Sequence, residues 1–563
     1  MELLEKLPEQ ILSWQLRGAG LSRFGVDGKP ETVPFPSYGE DDLIVRVDAV
    51  GLCFSDLKLI SMGSAHPRIE GRDLKKDPVV PGHEVSLTVV GVGDGLKGRF
   101  RPGERCVLQA DVFYGGKPMA FGYALRGGMS QYAVLGREIL EGDEGCYLLP
   151  VKPQTSYVEA ALVEPWTCVT AAYQIRARTE NRENGVLYFH GFPEGQIPLK
   201  LEGLSSRKPS VVVHDGLSSA NLEAVLELCR SMGVEAIGLD ALSGARPSDI
   251  VCAGTPDGES FARLVELIDA DGVLSVHAAG TDGELPVDIG KVHFKGLEIT
   301  GSRDGAVLAS YARNTREALK PGGRAWFVGG AGPMGQMHVI KAILDDRGPS
   351  TMLVTDLSDD RLDALKRLVG LIRPDGGRKI DLEFRNPSDL KGEELDAFLG
   401  ESYPGGFDDI VALVPVAAII SQASRFLAPM GVLNVFAGVN PGTVAAMPLE
   451  RIVDGRGRIT GSSGSPLSAM KETLALTEAG KLAPALSLAA VGDMYSVAKG
   501  IKSLMDNTFP GKVVIFPFAH GIGLKSLREL GRDLPELAAK LLDGRYWTRE
   551  AEKEFLSSKY FRS

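Results

Sequence analysis

The chain has 563 residues, with 62 Lys and Arg against 73 Asp and Glu, a formal net charge of −11 and 44% apolar residues. That length holds roughly three or four domains with substantial cores. The acidic balance excludes a general nucleic-acid binder, which needs a dense basic face, but leaves room for a local basic pocket and an anionic substrate.

Six cysteines, Cys53, Cys106, Cys146, Cys168, Cys229 and Cys252, are scattered without paired spacing. This is the pattern of a reducing compartment, where thiols stay free or bind metal. Residues Met1 to Gln10 carry three glutamates and no apolar core of a signal peptide, and no run of about 20 apolar residues occurs. The expectation is a cytoplasmic protein with neither membrane nor nucleic-acid partners.

In chain order, roughly the first 150 residues of a first domain bounded at 1–184 read as mostly strand, with Leu43-Ile44-Val45-Arg46-Val47 and Val85 to Val92 rich in β-branched residues between Gly, Pro and Asp turns. From Gly185 apolar strands alternate with amphipathic helices, the signature of a parallel α/β sheet. Two such stretches, 185–321 and 322–465, look like copies. Val212-Val213-His214-Asp215 matches Leu353-Val354-Thr355-Asp356, followed by helices expected at Asn221 to Met232 and Asp359 to Val369. Asp249-Ile250-Val251 matches Asp409-Ile410-Val411, and Ile299-Thr300-Gly301-Ser302 matches Ile459-Thr460-Gly461-Ser462.

In the second stretch, Ala325-Trp326-Phe327-Val328 opens into Gly330-Ala331-Gly332-Pro333-Met334-Gly335. This is a dinucleotide-binding turn, and Asp356 follows at the spacing of a ribose-binding acid. The first stretch has His190, Phe192 and Gly195 where the second has Gly330, Gly332 and Gly335. A phenylalanine at the second position fills space that phosphates need, so this copy is expected to be degenerate and without cofactor. Its Asp215 then reads as a structural or surface acid. Residues 466–517 end in Gly511-Lys512-Val513-Val514-Ile515-Phe516-Pro517, a closing strand that returns to the first domain. Residues 518–563 read as a helical packing extension, with Leu527, Leu530, Leu534, Leu537 and Leu541 at helical spacing.

Cys53, the pair His83-Glu84, and Glu164 supply a thiolate, an imidazole and two carboxylates. A catalytic zinc needs about three protein ligands and one open position. Alone, Cys53 reads as a small buried hydrophobe and His83 as a hydrogen-bonded core histidine. Each residue sits in its own recognisable context, and the joint pattern points to metal. Asp56 reads as orienting the Cys53 turn. Arg68, Arg72, Lys75 and Lys76 form a basic loop that could grip a phosphate or acid group, or simply be solvated. Tyr123, Arg126 and Trp166 are further pocket candidates.

These residues resemble the zinc-containing medium-chain dehydrogenase/reductase superfamily, and within it the sorbitol dehydrogenase-like branch. The resemblance lies in Cys53-x-Ser55-Asp56, Gly82-His83-Glu84, Glu164-Pro165, the Gly-x-Gly-Pro-x-Gly turn and Gly511-Lys512-Val513-Val514-Ile515. It implies an α/β protein with a GroES-like β-rich catalytic domain and Rossmann-like doubly wound parallel sheets, here two in tandem with the first degenerate. It implies one catalytic zinc held by Cys53 and His83 with Glu84 or Glu164. It implies no structural zinc, because the lobe that holds one in relatives carries only Cys106 and Cys146. Ser55 becomes the candidate proton relay.

Asp356 favours NAD over NADP by repelling a 2′-phosphate, a preference that Arg361 could soften. The expected reaction is hydride transfer between NAD and a secondary alcohol or ketone of a polyol, sugar or sugar phosphate. Two alternatives are an epimerase or lyase that oxidises its substrate transiently with bound NAD, and a non-enzymatic nucleotide-binding protein. The chain is expected to be a monomer or a homo-oligomer, with the first copy standing in for a dimer partner's sheet edge.

Overall fold

The computed structural model describes residues 2–4, 6–174, 178–372, 378–390 and 394–561. It divides into two compact units, Met1–Thr170 with Gly464–Ser563, and Ala171–Ser463. Among the described residues, no helix is long and apolar enough to cross a membrane.

The first unit is built on a nine-stranded sheet. Its main path runs Leu148–Pro150, Arg105–Leu108, Glu84–Val92, Leu43–Leu52, Lys512–Ile515, Leu488–Gly492 and Lys525–Ser526. The two long central strands are buried along almost their whole length, which is why their sequences are near-continuous apolar runs rather than strict alternations. The late strand Lys512–Ile515 lies antiparallel to Leu43–Leu52, with Val514 opposite Gly51. Residues far apart in sequence thus share one sheet.

The C-terminal segment packs Leu527, Leu530, Leu537, Leu541, Trp547 and Phe555 against Val158, Ala161, Leu162 and Phe516. It is not one continuous helix. The chain forms Leu527–Asp533, Pro535–Ala538 and Arg549–Leu556 as separate helices, because Pro535 stops the first and Gly544 turns the chain with positive φ. Buried Glu552 accepts the backbone N–H groups of Tyr157 and of Val158 (2.9 Å), capping the start of helix Tyr157–Tyr173.

The second unit contains one twelve-stranded sheet. In chain order its strands are β1 Val186–Gly191, β2 Val211–Asp215, β3 Ala236–Gly238, β4 Asp249–Ala253, β5 Val273–His277, β6 Glu298–Ser302, β7 Arg324–Val328, β8 Thr351–Thr355, β9 Asp381–Arg385, β10 Phe407–Ala412, β11 Leu427–Val435 and β12 Arg458–Thr460. Their spatial order is 3-2-1-4-5-6-12-11-10-7-8-9. Each half is therefore parallel with the doubly wound order, and the second half repeats the first in mirror sequence.

The halves meet where β6 pairs antiparallel with β12, Ile299 opposite Ile459. A two-stranded ribbon crosses the same joint, Glu284–Asp288 against Val444–Pro448, with Pro286 opposite Ala446. Both contacts join positions at the same internal spacing, so the joint is a local twofold.

The halves differ in their first crossover. Between β7 and β8 lies helix Pro333–Leu344, but between β1 and β2 the chain makes only the single turn Leu204–Ser206. Pro193 and Pro198, with left-handed Gly195 and Gly203, keep this stretch from winding into a helix.

At the joint, matched positions carry opposite charges. Arg458 on β12 is fully buried, pairs with Glu298 on β6, and donates to the carbonyls of Tyr311 and Arg313 (2.9 Å). Removing one member of such a pair strands a charge in the interior. Arg458→Met is expected to destabilise the unit by about 3–5 kcal/mol. Arg458→Met combined with Glu298→Leu should recover most of that loss, as measured by chemical denaturation.

Candidate metal and dinucleotide sites

Within the first unit, Cys53 ends strand Leu43–Leu52 and caps helix Phe54–Met62. His83 immediately precedes strand Glu84–Val92. One carboxylate ties these two chain segments together. Asp56 Oδ2 accepts Cys53 N–H at 3.0 Å, and Oδ1 accepts Gly82 N–H at 3.1 Å. His83 Nδ1 lies 3.3 Å from the same Oδ1 without a well-aligned hydrogen bond. Gly82 has φ of 96°, and a side chain there would press on the Met129 backbone. The tight turn before His83 thus requires glycine.

The ligand-type atoms of Cys53, His83 and Glu84 all lie within 4.8 Å of one another, and among the described residues this is the one such group of three or more. Glu84 is fully buried opposite Gly51, where any side chain would collide with its Oε2. Its Oε1 pairs with Lys512 Nζ at 2.5 Å, while Oε2 is buried without a hydrogen-bond partner. An orphaned carboxylate oxygen beside a thiol and an imidazole fits a divalent ion with mixed sulfur, nitrogen and oxygen ligands, zinc above all. Burial works against a charged His83, yet Asp56, with Tyr123 and Cys53, outweighs it and raises its pKa well above the usual value. Burial also works against Lys512, but Glu84 and Cys53 hold its charge firmly.

Glu164, on helix Tyr157–Tyr173, lies outside the close group. Burial, reinforced by Glu84 and Asp111 against His83 and Lys512, pushes its carboxyl up to about 7. Its Oε1 is 3.8 Å from Cys168 Sγ. Ser55 is half-buried in the first turn of helix Phe54–Met62. Away from this cluster, burial pushes the Cys106 thiol up to about 12, and Cys146 Sγ contacts Leu148 O at 3.4 Å.

The basic loop separates into different roles. Arg72 donates to the Tyr123 and Ala124 carbonyls and pairs with Asp77, so it is a structural clamp. Lys76 pairs loosely with Asp73 at 3.8 Å. Arg68 instead lies over the Tyr123 ring, 5.0 Å from its centroid, and pairs with Asp111 at 2.8 Å. Trp166 is a core residue that donates to Ser487 Oγ, and Arg126 is exposed. Sequence reasoning missed Asp111, a lone charge in an apolar stretch, and placed Lys512 only in the closing strand without its pairing to Glu84.

In the second unit, the turn after β7 is tied to the end of β8, as Gly329 and Gly330 both donate to Thr355 O at 2.8 and 2.9 Å. Gly332 caps helix Pro333–Leu344, with Pro333 at its first position and Met334 following. The glycines serve different ends. A side chain at Gly330 would press on Phe327 and Val354, and one at Gly335 would meet the Gly330 backbone at 2.6 Å. A Cβ at Gly332 meets nothing closer than Gly329 O at 3.6 Å, so the protein itself does not require glycine there. The cradle such a Cβ would fill, at a helix N-terminus, fits a pyrophosphate. Asp356 is buried just beyond β8, with Oδ1 held by Arg361 (2.6 Å) and Ser358 N–H (3.1 Å).

At the matching crevice of the first half, Phe192 is fully buried. Gln196 donates to Phe192 O and Gly216 O and accepts from Ser218 N–H, so the chain's own amide stitches this end together. His190 Nδ1 lies 2.9 Å from Tyr188 Oη and 3.7 Å from Asp215.

Residues 39–141 match the alcohol dehydrogenase GroES-like domain. Over 536 residues the chain is 22% identical to the Escherichia coli protein YggP, covering 93% of this chain and 92% of that one. It is 26% identical to mannitol-1-phosphate 5-dehydrogenase of Aliivibrio fischeri, covering 61% of this chain and 88% of the relative. The solved structure of galactitol-1-phosphate dehydrogenase from Escherichia coli shares the fold, with a TM-score of 0.50 at 15% identity over 90% of this chain and 100% of that one. The GroES-like match and these relatives support the resemblance to the medium-chain dehydrogenase/reductase superfamily and its sorbitol dehydrogenase-like branch.

Proposed function

We propose that this protein is a zinc-dependent, NAD-linked dehydrogenase acting on a secondary alcohol, or the corresponding ketone, of a polyol, sugar or sugar phosphate. The observation that carries the proposal is the buried convergence of Cys53, His83 and the unpartnered Glu84 oxygen. Relatives that act on sugar alcohols and their phosphates support it. The domain limits 1–184, 185–321, 322–465, 466–517 and 518–563 belong to the same reading.

In this reading, bound zinc favours ionisation of a substrate hydroxyl and NAD accepts the hydride. The chain's own residues do the rest. Cys53, His83 and Glu84 hold the ion, and Glu164 stands by as a neutral or charged carboxyl near pH 7. Lys512 neutralises one Glu84 oxygen and leaves the other to face the ion. Ser55 relays the departing proton. Gly332, Pro333, Met334 and the helix they begin receive the pyrophosphate, with Gly330 and Gly335 shaping the turn. Asp356 takes the ribose hydroxyls, and its bond to Arg361 steadies the carboxylate while reducing its bias against a 2′-phosphate.

The test is metal analysis of the purified protein, with absorbance of reduced nicotinamide followed across a panel of polyols and their phosphates. One zinc and one dinucleotide per chain are expected, with net NADH formation on at least one substrate. Absence of metal, or turnover without net NADH, overturns the reading. Asp56→Asn should loosen both ligand segments and weaken zinc binding by about 10–100-fold in a chelator competition. Gly332→Ala should leave the melting temperature unchanged while weakening dinucleotide binding about tenfold or more, seen by titration calorimetry.

A further inference from the structure

Four basic residues precede His83, and three are accounted for or remote. Arg72 is tied to the Tyr123 and Ala124 carbonyls and to Asp77, Lys76 pairs with Asp73, and Lys75 is exposed. The fourth, Arg68, is held beside the metal set by a chain of rings. The Tyr123 ring lies 5.8 Å from the His83 ring and 5.3 Å from the His66 ring, and Arg68 lies 5.0 Å above the same tyrosine. A guanidinium therefore sits one aromatic ring away from a candidate metal ligand.

The arrangement is braced. Asp111 takes Arg68 Nη1 at 2.8 Å and is fixed in turn by Ser465 N–H at 3.0 Å. Arg68 keeps 38% of its side chain exposed while paired with Asp111. His66 Nδ1 accepts the Arg68 backbone N–H at 3.3 Å, setting the turn that carries the side chain. Lys58 lies half-buried on the helix that Cys53 caps. Burial first, then the charges of Arg68 and Lys58, push the His66 imidazole down to about 4. Arg68 thus offers a partly exposed, braced cation in a chain of net charge −11. The fork of an arginine matches phosphate oxygens in pairs.

We infer that Arg68, carried on the turn that His66 sets, forms a phosphate subsite beside the metal set, so that the substrate is a phosphate ester of a sugar or polyol. This inference rests on the function proposed above. Asp111 and Tyr123 act as positioning residues that hold the guanidinium in place.

The experiment compares kcat/KM for hexitol 1-phosphates with that for the free hexitols, in wild type, Arg68→Ala and Arg68→Lys. Wild type is expected to prefer the phosphate esters. Arg68→Ala should lower that preference ratio by about 10–100-fold, and Arg68→Lys should restore part of it. Inorganic phosphate should inhibit competitively against the ester, and less so in Arg68→Ala. An unchanged ratio in Arg68→Ala, or wild-type preference for free hexitols, overturns the inference while leaving the dehydrogenase reading intact. Should wild type oxidise neither class, the proposed function fails. The subsite is then judged by calorimetric titration with inorganic phosphate alone: binding weakened by Arg68→Ala supports it, and no binding to wild type overturns it.

Discussion

The candidate chemistry depends on one buried carboxylate that is not itself among the proposed ligands. Asp56 bonds the backbone of Cys53 with one oxygen and of Gly82 with the other, fastening two strand ends that belong to different parts of the sheet. Fixing main chain rather than side chains is an economical way to bring a thiolate and an imidazole together, because each then projects from an already ordered turn. Gly51 and Gly82 complete the effect by leaving room for Glu84 and for the bend before His83. Without these two small residues the carboxylate would have nothing to align.

A second layer of charge surrounds this turn. Glu84 shares its two oxygens unequally, one with Lys512 and one with no protein group. Burial first, and then the nearby acids Glu84 and Asp111, keep the proton affinity of Glu164 high. A metal ion would add positive charge where the carboxyl groups now repel one another. The same crowding of acids suits this cluster to a cation.

Much of this was legible in the sequence where it is written in local punctuation. The Gly-His-Glu turn, the Cys-x-Ser-Asp turn and the glycine-rich turn each announce themselves over a few residues, as do the strands that begin or end them. The internal matches align Ile299 with Ile459, the two residues that pair at the joint, but they do not encode the strand order. What escaped reading is long-range. Lys512 meets Glu84 across 428 positions, and no local pattern distinguishes it from an edge lysine. That Glu84 and not Glu164 lies in the close group with Cys53 and His83 depends on how a helix packs against a sheet, which residue spacing does not encode. The single turn that replaces the first crossover helix in the N-terminal half is signalled by Pro193 and Pro198, but strand landmarks on either side mask it.

The joint between the two halves of the twelve-stranded sheet has a genetic consequence. When two identical chains meet about a twofold axis, every substitution at their contact appears on both sides at once, so a matched pair of positions can never hold unlike residues. Placing both halves in one gene removes that constraint. Glu298 and Arg458 occupy equivalent places yet differ in sign, an arrangement open only to a protein whose two faces are inherited separately.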